Sequence, residues 1–159
     1  MKFSASSADL LEALNTVKGA VPSKSTLPIL ECILFERDED LLRLSATDLE
    51  ISIVQTLPVQ FETNGTPETQ SIAVPAKRVL DTLRALPDLP ITFSASGDFE
   101  IEMSTDQGHY QLVGHDGADY PDLPSLDGEH EITAEGSLLK RGIDRTAFAV
   151  SKDALRPAM

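Results

Sequence analysis

Residues 7–18 read SADLLEALNTVK, and their apolar side chains recur at the spacing of a single helix face. Those side chains are Leu10, Leu11, Leu14 and Val17. Ser6 or Ser7 can cap the N-terminus of this helix, and Gly19 can end it. The stretch therefore predicts an amphipathic helix that packs one face against a core.

A second stretch, residues 75–87, reads PAKRVLDTLRALP and has the same apolar spacing. Pro75 suits the first turn of a helix, and Pro87 ends it. The two stretches align without gaps at an offset of 69 residues, which places Phe3 on Ile72. A short strand is therefore expected before each helix.

Strand patterns follow both helices. They cover residues 29–37, 41–46 and 50–57 after the first helix, and 91–95, 99–103 and 110–113 after the second. Polar turns separate them, such as Asp38-Glu39-Asp40. In residues 99–103 apolar and polar residues alternate, as in half-buried antiparallel strands. Each half therefore predicts the order β-α-β-β-β, and the chain is assigned to the α+β class.

A third copy of the strand-helix pattern begins near residue 132, at an offset of 129 from the first. A stretch rich in Pro and Asp precedes it. We expect one domain over residues 1–126, with half-repeats at about 1–66 and 67–126 and a linker at about 116–127. A second domain is expected to start at residue 128 and to be truncated at residue 159.

The charge of the chain is unevenly distributed. Its 159 residues carry a net charge of −13, which by itself argues against nucleic-acid binding. The three predicted helical windows are residues 6–24, 75–87 and 136–156, and they hold ten of the 13 basic residues but only five acids. The windows have a net charge of +5 and the remainder has −18. Basic helices on one side of an acidic protein can still meet a phosphate backbone.

Sequence features of catalysis, metal binding or membrane insertion are missing. The spacing of His109 and His115 matches no zinc signature, and the single cysteine, Cys32, falls on a predicted strand as a buried thiol. There is neither a glycine-rich phosphate loop nor a nucleophile elbow. We expect no catalytic residue, no metal and no cofactor. The absence of a signal peptide and of a long apolar run favours the cytoplasm.

Five short motifs occur in an order that resembles the opening of the bacterial sliding clamps, the beta subunits of DNA polymerase III. They are MKF at 1–3, TLPIL at 26–30, ATDLE at 46–50, VPAK at 74–77 and DYPDL at 119–123. The resemblance implies a subunit of three such domains. It also implies that two subunits close into a ring around duplex DNA, with sheets outside and helices on the DNA side. Such a ring has no catalysis of its own and makes the polymerase processive.

The resemblance also implies roles for individual residues. Matching positions contact DNA at Lys24, Lys77, Arg84, Lys152 and Arg156. Asp153 departs from the neutral polar residue that the family often has there. Leu86, Tyr110 and Leu112 match the subunit interface, and the same apolar side chains also suit a core.

The implied partners are a second subunit, the polymerase catalytic subunit and the clamp loader. The pocket for their peptides lies outside this fragment. Two other interpretations remain open from the residues alone. One is an acidic protein-interaction module, a scaffold or decoy without DNA binding. The other is a hydrolase with paired carboxylates.

Overall fold

The computed structural model describes residues 1–62, 69–123 and 132–151. Contacts between Cα atoms divide the chain into two compact units, Met1–Leu123 and Pro124–Met159. The predicted domain boundaries stay predictions.

Unit 1 contains two halves with the same order of elements. The first half consists of β1 (Lys2–Ser6), α1 (Ser7–Val17), β2 (Cys32–Asp38), β3 (Leu41–Thr47), β4 (Ser52–Pro58) and β5 (Gln60–Phe61). The second consists of β6 (Ser71–Pro75), α2 (Ala76–Ala85), β7 (Pro90–Ala95), β8 (Glu100–Thr105), β9 (Gly108–Val113) and β10 (His115–Asp116). The predicted order β-α-β-β-β is confirmed in both halves, with a two-residue strand added at the end of each.

The strands form two five-stranded antiparallel sheets, in the orders β5-β1-β7-β8-β9 and β10-β6-β2-β3-β4. The first strand of each half pairs with the second strand of the other half, β1 with β7 and β6 with β2. Neither half could therefore form its sheet alone. The arrangement confirms the predicted α+β class.

Local sequence explains how α1 begins, but Gly19 does not end it as predicted. Ser6 caps the helix, because its Oγ accepts hydrogen bonds from the backbone N–H groups of Ala8 and Asp9. The predicted cap at Gly19 is wrong. The backbone of Lys18 stays helical, and the chain tightens into a 3₁₀ turn over Lys18–Ala20. No left-handed residue is needed there, so glycine has no capping role.

The core of unit 1 lies between the two helices and the two sheets. The predicted helix faces are buried, including Leu10, Leu14, Val17, Val79, Leu80 and Leu83. At the centre the Phe93 ring stacks on those of Phe3 and Phe35, with centroids 4.9 and 5.3 Å apart. Aromatic pairs of this kind supply both buried area and a preferred geometry.

The strand registers show that Phe35 and Phe93 occupy equivalent places in the two halves. Phe3 lies opposite Phe93, and Ile72 lies opposite Phe35. Since Phe3 and Ile72 are equivalent in the 69-residue repeat, their cross-strand partners are equivalent as well. A local two-fold axis relates the two halves, and it exchanges each residue with its equivalent in the other half. Two equivalent residues that touch each other therefore lie next to this axis. The stacked rings therefore mark this local axis within the core.

Unit 2 is described over residues 132–151. It contains α3 (Gly136–Thr146) and a 3₁₀ turn over Ala147–Ala149. Leu139, Ile143 and Phe148 are exposed. Residues 132–135, where the third copy of the pattern predicts a strand, are not in a strand in the described part of the chain. Among all described residues, no helix has the length and apolarity needed to cross a membrane.

Candidate nucleic-acid interface

A groove of about 440 Å³ runs between the end of α1 and the exposed side of α2. Two of the predicted DNA contacts, Lys77 and Arg84, line it together with Lys18. Lys24 lies in the loop beside another lining residue, Ser23, and is exposed. Lys24, Lys77 and Arg84, the predicted DNA contacts within unit 1, therefore lie on one side of this unit.

The loop that carries Lys24 is tied to the fold at both ends. At its start Val21 N–H donates to the carbonyl of Lys18 over 3.0 Å. At its end Ser25 N–H donates to Oε1 of Glu31 over 3.3 Å. The loop presents Lys24 from a backbone with fixed ends, which limits the entropy lost when the side chain binds a ligand.

The acidic groups in the groove already have partners. Glu31 accepts the bond from Ser25, and Asp81 Oδ1 lies 3.5 Å from Nη1 of Arg84. Lys18, Lys24 and Lys77 form no ion pair with any other residue that the structure describes. The lining cations Lys18, Lys77 and Arg84 exceed the lining acids Glu31 and Asp81 by one charge, and the exposed Lys24 adds a further positive charge beside the groove. A net positive charge favours attraction to a phosphate backbone.

The position of Lys77 is unfavourable for the helix that carries it. It lies in the first turn of α2, which contains no acid and whose N-cap, Pro75, makes no side-chain capping bond. A cation at the positive end of a helix dipole destabilises by about 0.3–1 kcal/mol at low ionic strength. The equivalent position in α1 is Ala8, next to Asp9. Helix stability therefore does not explain Lys77, and its role in binding stays a prediction.

The predicted contacts Lys152 and Arg156, and the departing Asp153, lie outside the described residues. Their role stays a prediction. In the described part of unit 2, Arg141 and Arg145 are exposed, while Lys140 pairs with Asp144 at 2.6 Å.

The three predicted interface residues are half-buried in the structure. Leu86, Tyr110 and Leu112 pack against the core of unit 1. Tyr110 and Leu112 belong to β9, which ends its sheet and pairs only with β8 within the described residues. Val113, at the end of the same strand, is 67% exposed. These three side chains thus contribute to the core of unit 1. Their role in subunit contact stays a prediction.

Cys32 and His109 form no catalytic arrangement with the residues that the structure describes. Burial, and secondarily the charge of Glu31, raises the pKa of the Cys32 thiol to about 11, so the reactive thiolate is disfavoured. Oγ of Ser104 and Oε1 of Glu102 lie 3.0 and 3.2 Å from the same ring nitrogen of His109, Nδ1. A catalytic relay needs the nucleophile on one ring nitrogen and the carboxylate on the other, so these three residues do not form one. Within the described residues no three metal-ligating side chains converge.

Asp48, in the ATDLE motif, has a structural role. Oδ1 of Asp48 accepts from Ile51 N–H at 2.7 Å and from Glu50 N–H at 3.0 Å, which closes the turn between β3 and β4. These two bonds hold the pKa of the Asp48 carboxyl below its usual range.

Two residues escaped sequence reasoning. Tyr120, in the DYPDL motif, is buried, and its hydroxyl accepts from Thr47 N–H at 3.2 Å and donates to the carbonyl of Cys32 at 3.3 Å. Asn15 accepts a hydrogen bond from Arg84. The sequence did contain a signal for Asn15, because Asn15 aligns with the predicted DNA contact Arg84 in the 69-residue repeat.

Comparison with known proteins identifies similar sequences over the whole chain. A family model described as the N-terminal domain of the DNA polymerase III beta subunit matches residues 1–124. The beta sliding clamp of Vibrio harveyi is 32% identical over 150 residues, which cover 94% of this chain and 100% of that sequence. The beta sliding clamp of Vibrio cholerae is 29% identical over 157 residues, covering 98% of this chain and 42% of the relative.

Solved structures give the same match. A putative DNA polymerase III beta subunit from Eubacterium rectale superposes with a TM-score of 0.87 at 30% identity, over 96% of this chain and 40% of that one. The DNA polymerase sliding clamp of Caulobacter crescentus superposes with a TM-score of 0.85 at 32% identity, over 97% and 41%. The chain thus spans about two fifths of the length of these structures.

Proposed function

Because the chain belongs to the DNA polymerase III beta subunit family of sliding clamps, we propose that it forms an arc of a ring that encircles duplex DNA. Such a ring keeps a replicative polymerase on its template and catalyses nothing itself. The supporting observation is the groove between α1 and α2, where Lys77 and Arg84 lie together and the acids have internal partners.

The small number of cations fits a protein that holds DNA by topology. A ring needs only weak contacts to phosphates, because dissociation requires the ring to open. Contacts to phosphates alone carry no sequence information. In this proposal Lys24, Lys77 and Arg84 contact DNA from unit 1, and Lys152 and Arg156 contact it from the remainder of the chain. The acidic sheets face away from the duplex.

The proposal also covers assembly. Leu86, Tyr110 and Leu112 contribute to contact with a second subunit along β9, whose outer edge pairs with no other strand of the described residues and can accept one from a partner. The catalytic subunit of the polymerase and the clamp loader are the proposed protein partners. The proposed location is the cytoplasm.

The test uses the protein expressed from its complete gene and loaded onto nicked circular DNA. We expect the ring to stay on the circle at high salt and to slide off after the circle is cut. The triple variant Lys24→Gln, Lys77→Gln, Arg84→Gln should load or persist less well. Release that does not depend on cutting would contradict encirclement.

A matched control is available, since three cations lie outside the helical windows. They are Lys2, Arg37 and Arg43, on β1, β2 and β3. Changing all three to Gln removes the same charge from the sheets. We expect this control to retain DNA as the unmodified protein does. Equal losses in both triple variants would show an effect of net charge alone.

A further inference from the structure

Lys18 lines the groove between α1 and α2, although the family resemblance assigns it no role. It follows the last residue of α1 and opens the 3₁₀ turn Lys18–Ala20. Its N–H donates to the carbonyl of Leu14, and its own carbonyl accepts from Val21 N–H at 3.0 Å. The backbone is therefore fixed on both sides, while the side chain is exposed.

The groove takes its cations from both halves of unit 1. Lys18 comes from the first half, and Lys77 and Arg84 come from the second. An anion in this groove would thus meet positive charge from two directions. Glu31 and Asp81 also line the groove, where they bond to Ser25 and Arg84, and the three cations exceed these two acids by one charge.

The equivalent surface on the other side of the local axis has no such charge. In the 69-residue repeat Lys18 aligns with Pro87, Lys77 with Ala8 and Arg84 with Asn15. The two halves share a fold, but only one of the two related positions is cationic. Contact with an anionic chain is therefore expected on one side of the axis.

We propose that Lys18 binds a backbone phosphate of the duplex, so that unit 1 holds the DNA between Arg84, which lies next to the local axis, and Lys18 and Lys77, which lie to one side of it. The proposal rests on the proposed function. It adds Lys18 as a DNA contact and restricts the contact to one side of the local axis. A different role for Lys18 is to stabilise the negative C-terminal end of α1. That role depends on charge but makes no contact with DNA.

The experiment measures how the affinity of the 159-residue chain for a short fluorescein-labelled duplex depends on salt, by fluorescence anisotropy. The logarithm of the association constant falls linearly with the logarithm of the salt concentration, and each phosphate contact adds about 0.9 to the magnitude of this slope, which is called the steepness below. We expect Lys18→Gln to lower the steepness by about 0.9, as Lys77→Gln does, and Lys18→Arg to restore it. Arg43→Gln on β3 is the control and should leave the steepness unchanged.

The results separate the inference from the proposed function. An unchanged steepness in Lys18→Gln, with a decrease in Lys77→Gln, would overturn the role of Lys18 and leave the clamp proposal standing. Unchanged steepness in both variants would overturn both. A decrease in the Arg43 control equal to that of Lys18→Gln would also overturn the inference, because it would reflect net charge. Urea unfolding of each variant verifies that it is folded during titration.

Discussion

Asn15 and Arg84 are equivalent residues of the 69-residue repeat, and they are hydrogen-bonded to each other, with Nη2 of Arg84 3.0 Å from Oδ1 of Asn15. This exposed pair joins α1 to α2, and the stacked rings of Phe35 and Phe93 in the core are a second pair of equivalent residues in contact. The two pairs mark the same local axis. The bond also fixes a guanidinium that we propose as a DNA contact.

The bond between these residues should appear as a coupling in stability. Single changes Asn15→Ala and Arg84→Ala, combined in a double-mutant cycle, should give a coupling of about 0.5–1 kcal/mol, small because both side chains are exposed. Urea unfolding measures it. A coupling indistinguishable from zero would show that the two side chains do not hold each other in solution.

The ring stack on the axis should dominate the stability of unit 1. Phe93 is fully buried and contacts both other rings, so Phe93→Ala should destabilise by about 3–5 kcal/mol. Phe61, half-buried on β5, is the comparison, and Phe61→Ala should have a clearly smaller effect. Urea unfolding of both variants provides the measurement, and equal effects would contradict a core centred on Phe93.

Lys77 should show opposite effects on stability and on binding. Lys77→Glu places an acid at the positive end of α2, so it should stabilise the fold by about 0.3–1 kcal/mol at low salt. The same change should weaken DNA binding. Thermal unfolding and anisotropy titration of one preparation measure both. A variant that loses both stability and binding would indicate that Lys77 is a structural residue.

Asp48 should make the fold acid-sensitive. Its pKa in the folded state is lowered by bonds from the N–H groups of Ile51 and Glu50. The resulting stability is fully present above the usual value of 3.8 and is lost as pH falls through the lower folded value. Asp48→Asn removes this titration and should flatten the acid branch of stability against pH. An acid branch identical to that of the unmodified chain would refute the assignment.

Tyr120 should hold the end of unit 1 against its second sheet. Tyr120→Phe leaves Thr47 N–H and one buried carbonyl without their partner, so it should destabilise by about 1–3 kcal/mol. Tyr110→Phe is a matched control, since the Tyr110 hydroxyl has no hydrogen bond recorded to another described residue. Chemical unfolding compares the two, and equal small losses would mean that the Tyr120 bonds contribute little.

The helices and most strands could be predicted because their apolar periodicity is local. The spacing of Leu10, Leu14 and Val17 is enough to assign a helix face, and the repeat at 69 residues is enough to assign a second one. The pairing of β1 with β7 could not be predicted in this way. Periodicity indicates which face of a strand is buried, but not which distant strand lies beside it.

The candidate site was only partly predictable for the same reason. Lys24, Lys77 and Arg84 follow from resemblance to a family. The role proposed for Lys18 requires the fold, because only the packing of α1 against α2 places it on the same groove. The misassigned end at Gly19 has a physical cause as well: the backbone of Lys18 stays helical and a 3₁₀ turn follows α1, so no left-handed residue is needed there.

The most direct test of the account is to map where a short duplex touches the 159-residue chain. Backbone amide chemical shifts, followed during titration with DNA at low salt, report each surface separately. The account predicts the largest changes around Lys18, Lys24, Lys77 and Arg84. Changes centred instead on the outer face of the sheets, for example around Arg43 and Glu102, would contradict the claim that the helices face the DNA.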